Sequence, residues 1–190
     1  MVRWEPDSRG RLEQAAMELY GDRGFENTTV AEIAERAGVT ERTFFRHFAD
    51  KREVLFGGSG ALKEQMVAAV AGAPVSAPPI EAVAAGLDVL VAVLGERRDF
   101  SRRRRAIIAA NAELRERELI KLALLASAMA AVLRTRGVAE PTASLAAEAG
   151  MAAFRVAWER WTGEADEANL PQLIRESLDE LRAVTGSGGS

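Results

Sequence analysis

Residues 28–51 read TTVAEIAERAGVTERTFFRHFADK, and this stretch decides the fold. Val30, Ile33, Ala34 and Ala37 fall at i, i+3, i+4 and i+7, the spacing of one apolar helical face. Thr28 or Thr29 can cap that helix, and Glu32 stands three residues after Thr29, as a capping box requires. Gly38 ends it, because glycine accepts the left-handed backbone of a short inter-helix turn. Thr40 caps the next helix. There Phe44 and Phe48 are four apart and point inward. Arg42 and Arg46, also four apart, share an outward edge, with Thr43 and His47 beside them. A short helix with a polar outer edge and aromatic anchors beneath suits a DNA major groove.

The order A-E-I-A-x-x-A-G-V-T-x-x-T-F-F-R-H-F-x-x-K resembles the helix-turn-helix of the tetracycline-repressor (TetR) family of bacterial transcriptional regulators. The resemblance covers roughly the first third of the chain. It implies a three-helix head whose third helix reads DNA, and a larger helical domain that binds a ligand and dimerises. The expected fold is therefore all-α. Residues 1–50 form the helix-turn-helix head, with its turn motif at about 29–48. Residues 51–71 form a connecting helix, 72–184 the ligand-binding and dimerisation domain, and 185–190 a disordered tail.

Composition sets the outer bounds. The chain has 190 residues, 48% of them hydrophobic and 28% charged, which places it among soluble globular proteins. It has no cysteine, which excludes disulfides and thiolate zinc sites and fits a cytoplasmic protein. No apolar run is long enough to span a bilayer, and the first residues lack an apolar signal core, so no membrane partner is expected. Net charge is −3, and residues 1–60 carry nine Lys/Arg against eleven Asp/Glu. DNA binding thus rests on local charge, since Thr40–Arg52 holds four basic residues against two acidic ones. The single histidine, His47, lies on the second helix of the motif, and no metal, phosphate-loop or catalytic-triad pattern is visible. The chain is read as a non-enzyme with no cofactor.

The candidate DNA contacts are Thr28, Thr29, Thr40, Glu41, Arg42, Thr43, Phe45, Arg46, His47 and Lys51. Arg42 and Arg46 are suited to guanine O6 and N7, and Glu41 to a cytosine amino group or to the helix N-terminus. Phosphate contacts for Thr28, Thr43, His47 and Lys51 are what the resemblance implies; capping or plain exposure is the other reading. Phe45 departs from the family pattern, in which tyrosine is common and its hydroxyl reaches phosphate. Phenylalanine has no such donor, and either meets a thymine methyl or packs inward. Residues 1–8 read as a mobile arm, whose Arg3, with the nearby Arg9 and Arg11, either reaches phosphates or stays solvated. Leu12, Ala15, Ala16 and Leu19 read as the buried stripe of a first helix from about Arg9 to Arg23.

Beyond the head, Asp50 caps a fourth helix from Lys51 towards Val70, in which Gly57-Gly58-Ser59-Gly60 is either a close-packed or broken stretch or a compliant joint. Arg102–Arg105 reads as a solvated or ion-paired helix end, with an anionic ligand or DNA phosphate as alternatives. Asn111 either breaks its helix or bonds a ligand. Leu119–Leu133 reads as a central buried helix. The candidate pocket walls are Met66, Phe100, Asn111, Met129, Phe154 and Trp158, and an apolar or aromatic effector suits them. Two apolar faces on the last helices point to a two-fold partner through Leu145, Ala149, Ala152, Val156, Leu170, Ile174, Leu178 and Leu181. The function so read is a ligand-responsive repressor that binds a palindromic operator as a homodimer. The alternative is a helical dimer that binds a small molecule or protein and no DNA.

Overall fold

The structure, a computed structural model, describes residues 7–95, 97–163 and 169–186. Among these residues every regular element is helical. The α-helices are α1 (Ser8–Arg23), α2 (Val30–Arg36), α3 (Glu41–His47), α4 (Ser59–Gly72), α5 (Pro79–Leu94), α6 (Arg98–Ala110), α7 (Ala112–Thr135), α8 (Thr142–Gly163) and α9 (Leu170–Gly186). Arg3, on the expected N-terminal arm, lies outside the described residues, as do the last four residues of the expected tail. Helix α9 runs to Gly186, two residues into that tail.

The chain divides into two compact units. The first comprises the residues up to Gly58 together with Arg103–Glu118; the second comprises Ser59–Arg102 and the chain from Leu119 onward. This differs from the sequence reading, which placed residues 51–58 in the connector and 103–118 in the second domain. Segment 103–118 buries Ile107, Ile108 and Leu114, and polar contacts tie it to the rest of the first unit. Arg52 pairs with Glu113, Arg117 with Glu53, and the Asn111 amide donates to Glu26 at 2.8 Å. Arg104 donates to the Leu55 carbonyl at 2.7 Å and lies over the Phe56 ring.

These contacts decide between the alternatives for that region, in favour of the ion-paired reading of Arg104 and the helix-breaking reading of Asn111. Arg104 is spent on a carbonyl, a ring and Glu118, and Arg102 donates to the Thr162 carbonyl in the second unit. Neither guanidinium is laid out for an anionic ligand or for DNA phosphate. Asn111 is no pocket wall either. Its carbonyl Oδ1 accepts from Leu114 N–H at 3.2 Å, so it caps the start of α7 and separates it from α6.

In the first unit α1 packs on α2 and α3. Leu12, Ala15, Ala16 and Leu19 form its buried stripe, as the spacing predicts, and meet Ile33 and Phe44 in one small core. The connector is not one helix. Asp50 Oδ1 accepts from Arg52 N–H and Glu53 N–H, but the turn it caps is a single 3-10 turn, Glu53–Phe56. Gly57 and Gly58 then break the chain before α4. A side chain at Gly57 would run into Glu13 Oε1 at 2.7 Å, and Gly58 has φ +81°. Close packing accounts for Gly57 and the break for Gly58, whereas Gly60 lies inside α4 with open space around it.

The second unit is built on α5 and α8, which pack on each other; α4 covers α5 and α9 covers α8. Gly150 lets α8 approach α5, since a Cβ there would meet Val83 Cγ1 at 2.4 Å. Met66, Leu87, Met129, Ala147, Phe154 and Trp161 belong to one continuous core. Of the apolar run Leu119–Leu133 on α7, only the later part is enclosed: Met129 and Leu133 are buried, whereas Leu119, Ile120 and Leu124 are exposed. An apolar surface all round a helix does not require burial all round, and here the chain supplies neighbours for one part only.

Candidate nucleic-acid interface

The local sequence sets each piece of the interface. Thr29 and Glu32 form the capping box: Thr29 Oγ1 accepts from Glu32 N–H at 3.2 Å, and Glu32 Oε2 accepts from Thr29 N–H at 2.8 Å. The Thr29 N–H and hydroxyl, with Arg23 beside them, hold the Glu32 carboxyl below its ordinary range. At the turn Gly38 has φ +67°. Gly38 N–H donates to the Glu35 carbonyl and Val39 N–H to the Ala34 carbonyl, which is the Schellman closure of α2. Thr40 then caps α3 by accepting from Thr43 N–H.

Helix α3 has two sides of opposite character. Phe44 and Phe48 are enclosed, with rings 5.5 Å apart, and their burial anchors the helix by about 1.5–3 kcal/mol per side chain. On the other side Glu41, Arg42, Phe45 and Arg46 are exposed, and Thr43 is half-buried. Arg42, Thr43, Phe45 and Arg46 line one open concavity. Arg42 makes no ion pair or hydrogen bond among the described residues. His47 Nε2 lies 2.8 Å from the Ser8 hydroxyl and 3.5 Å from Arg46 Nη2. Ser8 was read as part of a mobile arm, yet it opens α1, capped by Asp7, whose side chain accepts from Gly10 N–H. An Asp-Ser pair ahead of the apolar stripe of α1 was the signal for that start.

Two expected phosphate ligands are used elsewhere. Thr28 is 1% exposed, and its hydroxyl donates to the Gly24 carbonyl at 2.9 Å. It closes the bend between α1 and α2 and offers no oxygen to solvent. Lys51 Nζ donates to the carbonyls of Phe25 at 2.8 Å and Thr28 at 2.9 Å, with the Glu26 carbonyl at 3.4 Å. It also sits 4.3 Å from the centre of the Phe25 ring. An ammonium has three donors, and these acceptors occupy them. The Tyr20 hydroxyl, which the sequence reading did not single out, donates to the Lys51 carbonyl at 2.6 Å. Burial, and then the Asp50 carboxylate, push the Tyr20 phenol above its ordinary range, so it remains a donor. Arg9 pairs with Glu13 and lies over the Phe48 ring, which ties its partly exposed side chain to the head.

The other candidates fall in the second unit. Met66, Met129 and Phe154 are packed in its core, Trp158 is half-buried between Phe154 and Trp161, and Phe100 is half-buried under Arg97. On α8 Leu145 and Val156 are exposed, and Ala149 and Ala152 between them are half-buried. On α9 the expectation of an outward stripe is wrong for three residues. Leu170, Ile174 and Leu178 are enclosed in the protomer's own core, because α9 lays that face on α8; Leu181 is half-buried. Among the described residues no group of three or more His, Asp or Glu could hold a metal ion, and no helix is long and apolar enough to cross a membrane.

Residues 13–56 match the family described as bacterial regulatory proteins, tetR family. The chain is 41% identical over 92 residues to the HTH-type transcriptional regulator TcmR of Streptomyces glaucescens. That stretch is 48% of this chain and spans 39% of the length of TcmR. Among solved structures, Thermus thermophilus FadR, a TetR-family transcriptional repressor in complex with lauroyl-CoA, aligns with a TM-score of 0.56 at 24% identity, over 91% of this chain and 92% of that one. The SmeT–triclosan complex aligns with a TM-score of 0.66 at 20% identity, over 93% and 90%. SmeT is the repressor of a Stenotrophomonas maltophilia multidrug efflux pump. The head of this chain is thus a TetR-family helix-turn-helix, and the described residues have the fold of the solved TetR-family structures.

Proposed function

We propose that this chain is a cytoplasmic TetR-family repressor that binds a palindromic operator as a homodimer and releases it when a small molecule binds. One observation carries the DNA part: Arg42, Phe45 and Arg46 stand exposed on a single edge of α3, whose opposite side is anchored by Phe44 and Phe48. Arginines so placed reach base edges, most readily guanine O6 and N7, while a rigid head beneath fixes their approach. Thr29, Thr40, Thr43 and His47 border that edge and position it on the backbone; Glu41 accepts from a cytosine amino group.

The apolar stripe Leu145, Ala149, Ala152 and Val156 supports the dimer. Two-fold pairing removes it from water and sets two copies of α3 in successive major grooves, about 34–36 Å apart. The FadR and SmeT complexes support the effector part. In this chain the second unit is where an apolar or aromatic effector fits, beside Phe100 and Trp158, which are only half-buried. An effector shifts operator affinity only by binding the two states unequally.

The test is footprinting of the DNA upstream of the chain's own gene at two salt concentrations. A protected near-palindrome, bound with a Kd of about 10⁻⁸ to 10⁻¹¹ M and more weakly at higher salt, is the expected result. Failure to protect that DNA, and failure to enrich any duplex from a random library, would overturn it.

A further inference from the structure

One side chain on the outer edge of α3 is out of keeping with its neighbours. Phe45 is 54% exposed, while Phe44 beside it and Phe48 are enclosed. A single exposed apolar residue is ordinary on a protein surface. What sets Phe45 apart is its place: three residues after Arg42 and next to Arg46, lining the same open concavity as both. Its ring meets Phe44 edge-on at 5.4 Å, a contact that orients it.

Two cations bring that edge to a polyanion, and a bare aromatic ring between them needs an apolar partner there. The major-groove face of a base pair offers one apolar group, the C5-methyl of thymine. We propose that Phe45 reads a thymine methyl in each operator half-site and is a specificity-determining residue. This rests on the operator-binding reading above.

The experiment uses the full chain and its F45A variant, both selected against a random duplex library. F45A removes an exposed ring, so its thermal unfolding should match the parent's. Each thymine of the recovered half-site is then replaced in turn by deoxyuridine, which keeps the base pair and deletes only the methyl. At one position the parent should lose about fourfold in affinity, the worth of one buried methyl group. F45A should bind the thymine operator more weakly and be indifferent to the methyl at that position, while keeping its other base preferences. A parent that is indifferent to every replacement overturns the proposal. So does an F45A that pays the same penalty. A parent that enriches no duplex at all would instead remove the operator-binding reading, and the proposal with it.

Discussion

The outer edge of α3 and the corner formed by Thr28 and Lys51 carry the same chemistry, a hydroxyl and a cation, and the fold uses them in opposite ways. At the edge, Arg42 and Arg46 are exposed and Thr43 is half-buried. At the corner, the Thr28 hydroxyl and the Lys51 ammonium are spent on carbonyls of the bend between α1 and α2. Residue type does not separate them; the acceptors within reach do. Backbone carbonyls at a bend need donors, and a lysine placed over them satisfies several at once. Among the described residues Arg42 and Arg46 donate to no such carbonyl, so these cations stay available. A second pair repeats the lesson with apolar residues. Leu145 on α8 and Ile174 on α9 both sit in regular stripes, yet one is 64% exposed and the other 3%.

The largest effect tests that second pair. Ile174→Ala should lower stability by about 2–5 kcal/mol, as core truncation does, and leave the oligomeric state unchanged. Leu145→Glu should leave the protomer folded and shift the dimer towards monomer in analytical ultracentrifugation. A reversal of those two outcomes would place the dimer contact on α9 and break the comparison.

Lys51→Ala comes next. It leaves the Phe25 and Thr28 carbonyls without their donor and should cost about 2–3 kcal/mol in chemical denaturation. Unchanged stability with weaker operator binding would mean that the lysine serves phosphate after all. Arg46→Ala should do the reverse. It should cost about 1–3 kcal/mol on the true operator, less on random DNA, and nothing in thermal unfolding. Equal loss on both DNAs would make it a phosphate contact only. The smallest effect is Thr28→Val, which removes one buried hydroxyl and should cost about 1 kcal/mol of stability with no change in operator sequence preference.

How much of this the sequence revealed depends on the range of the interaction. The motif at 28–51 was legible because its signals are local. The Thr29–Glu32 box, the Gly38 turn and the Phe44–Phe48 spacing each involve residues at most five apart. The grouping of 103–118 with the head was not legible, because its contacts are long-range, as in Arg52–Glu113 and Glu26–Asn111, pairs 61 and 85 residues apart. Periodicity shows which residues share a helix face. It does not show whether that face meets the same chain, as Leu170, Ile174 and Leu178 do, or lies open, as Leu145 and Val156 do. Lys51 illustrates the same limit within the site itself: a motif position names the residue, and only the neighbouring carbonyls decide its role.

The central claim is that the exposed edge of α3 reads duplex DNA. Its most direct test is selection from a random duplex library with the parent chain and the R42A/R46A double variant, after circular dichroism shows that both are equally folded. The expected result is a near-palindrome enriched by the parent and no common sequence enriched by the variant. The same palindrome recovered by both, or by neither, would contradict it.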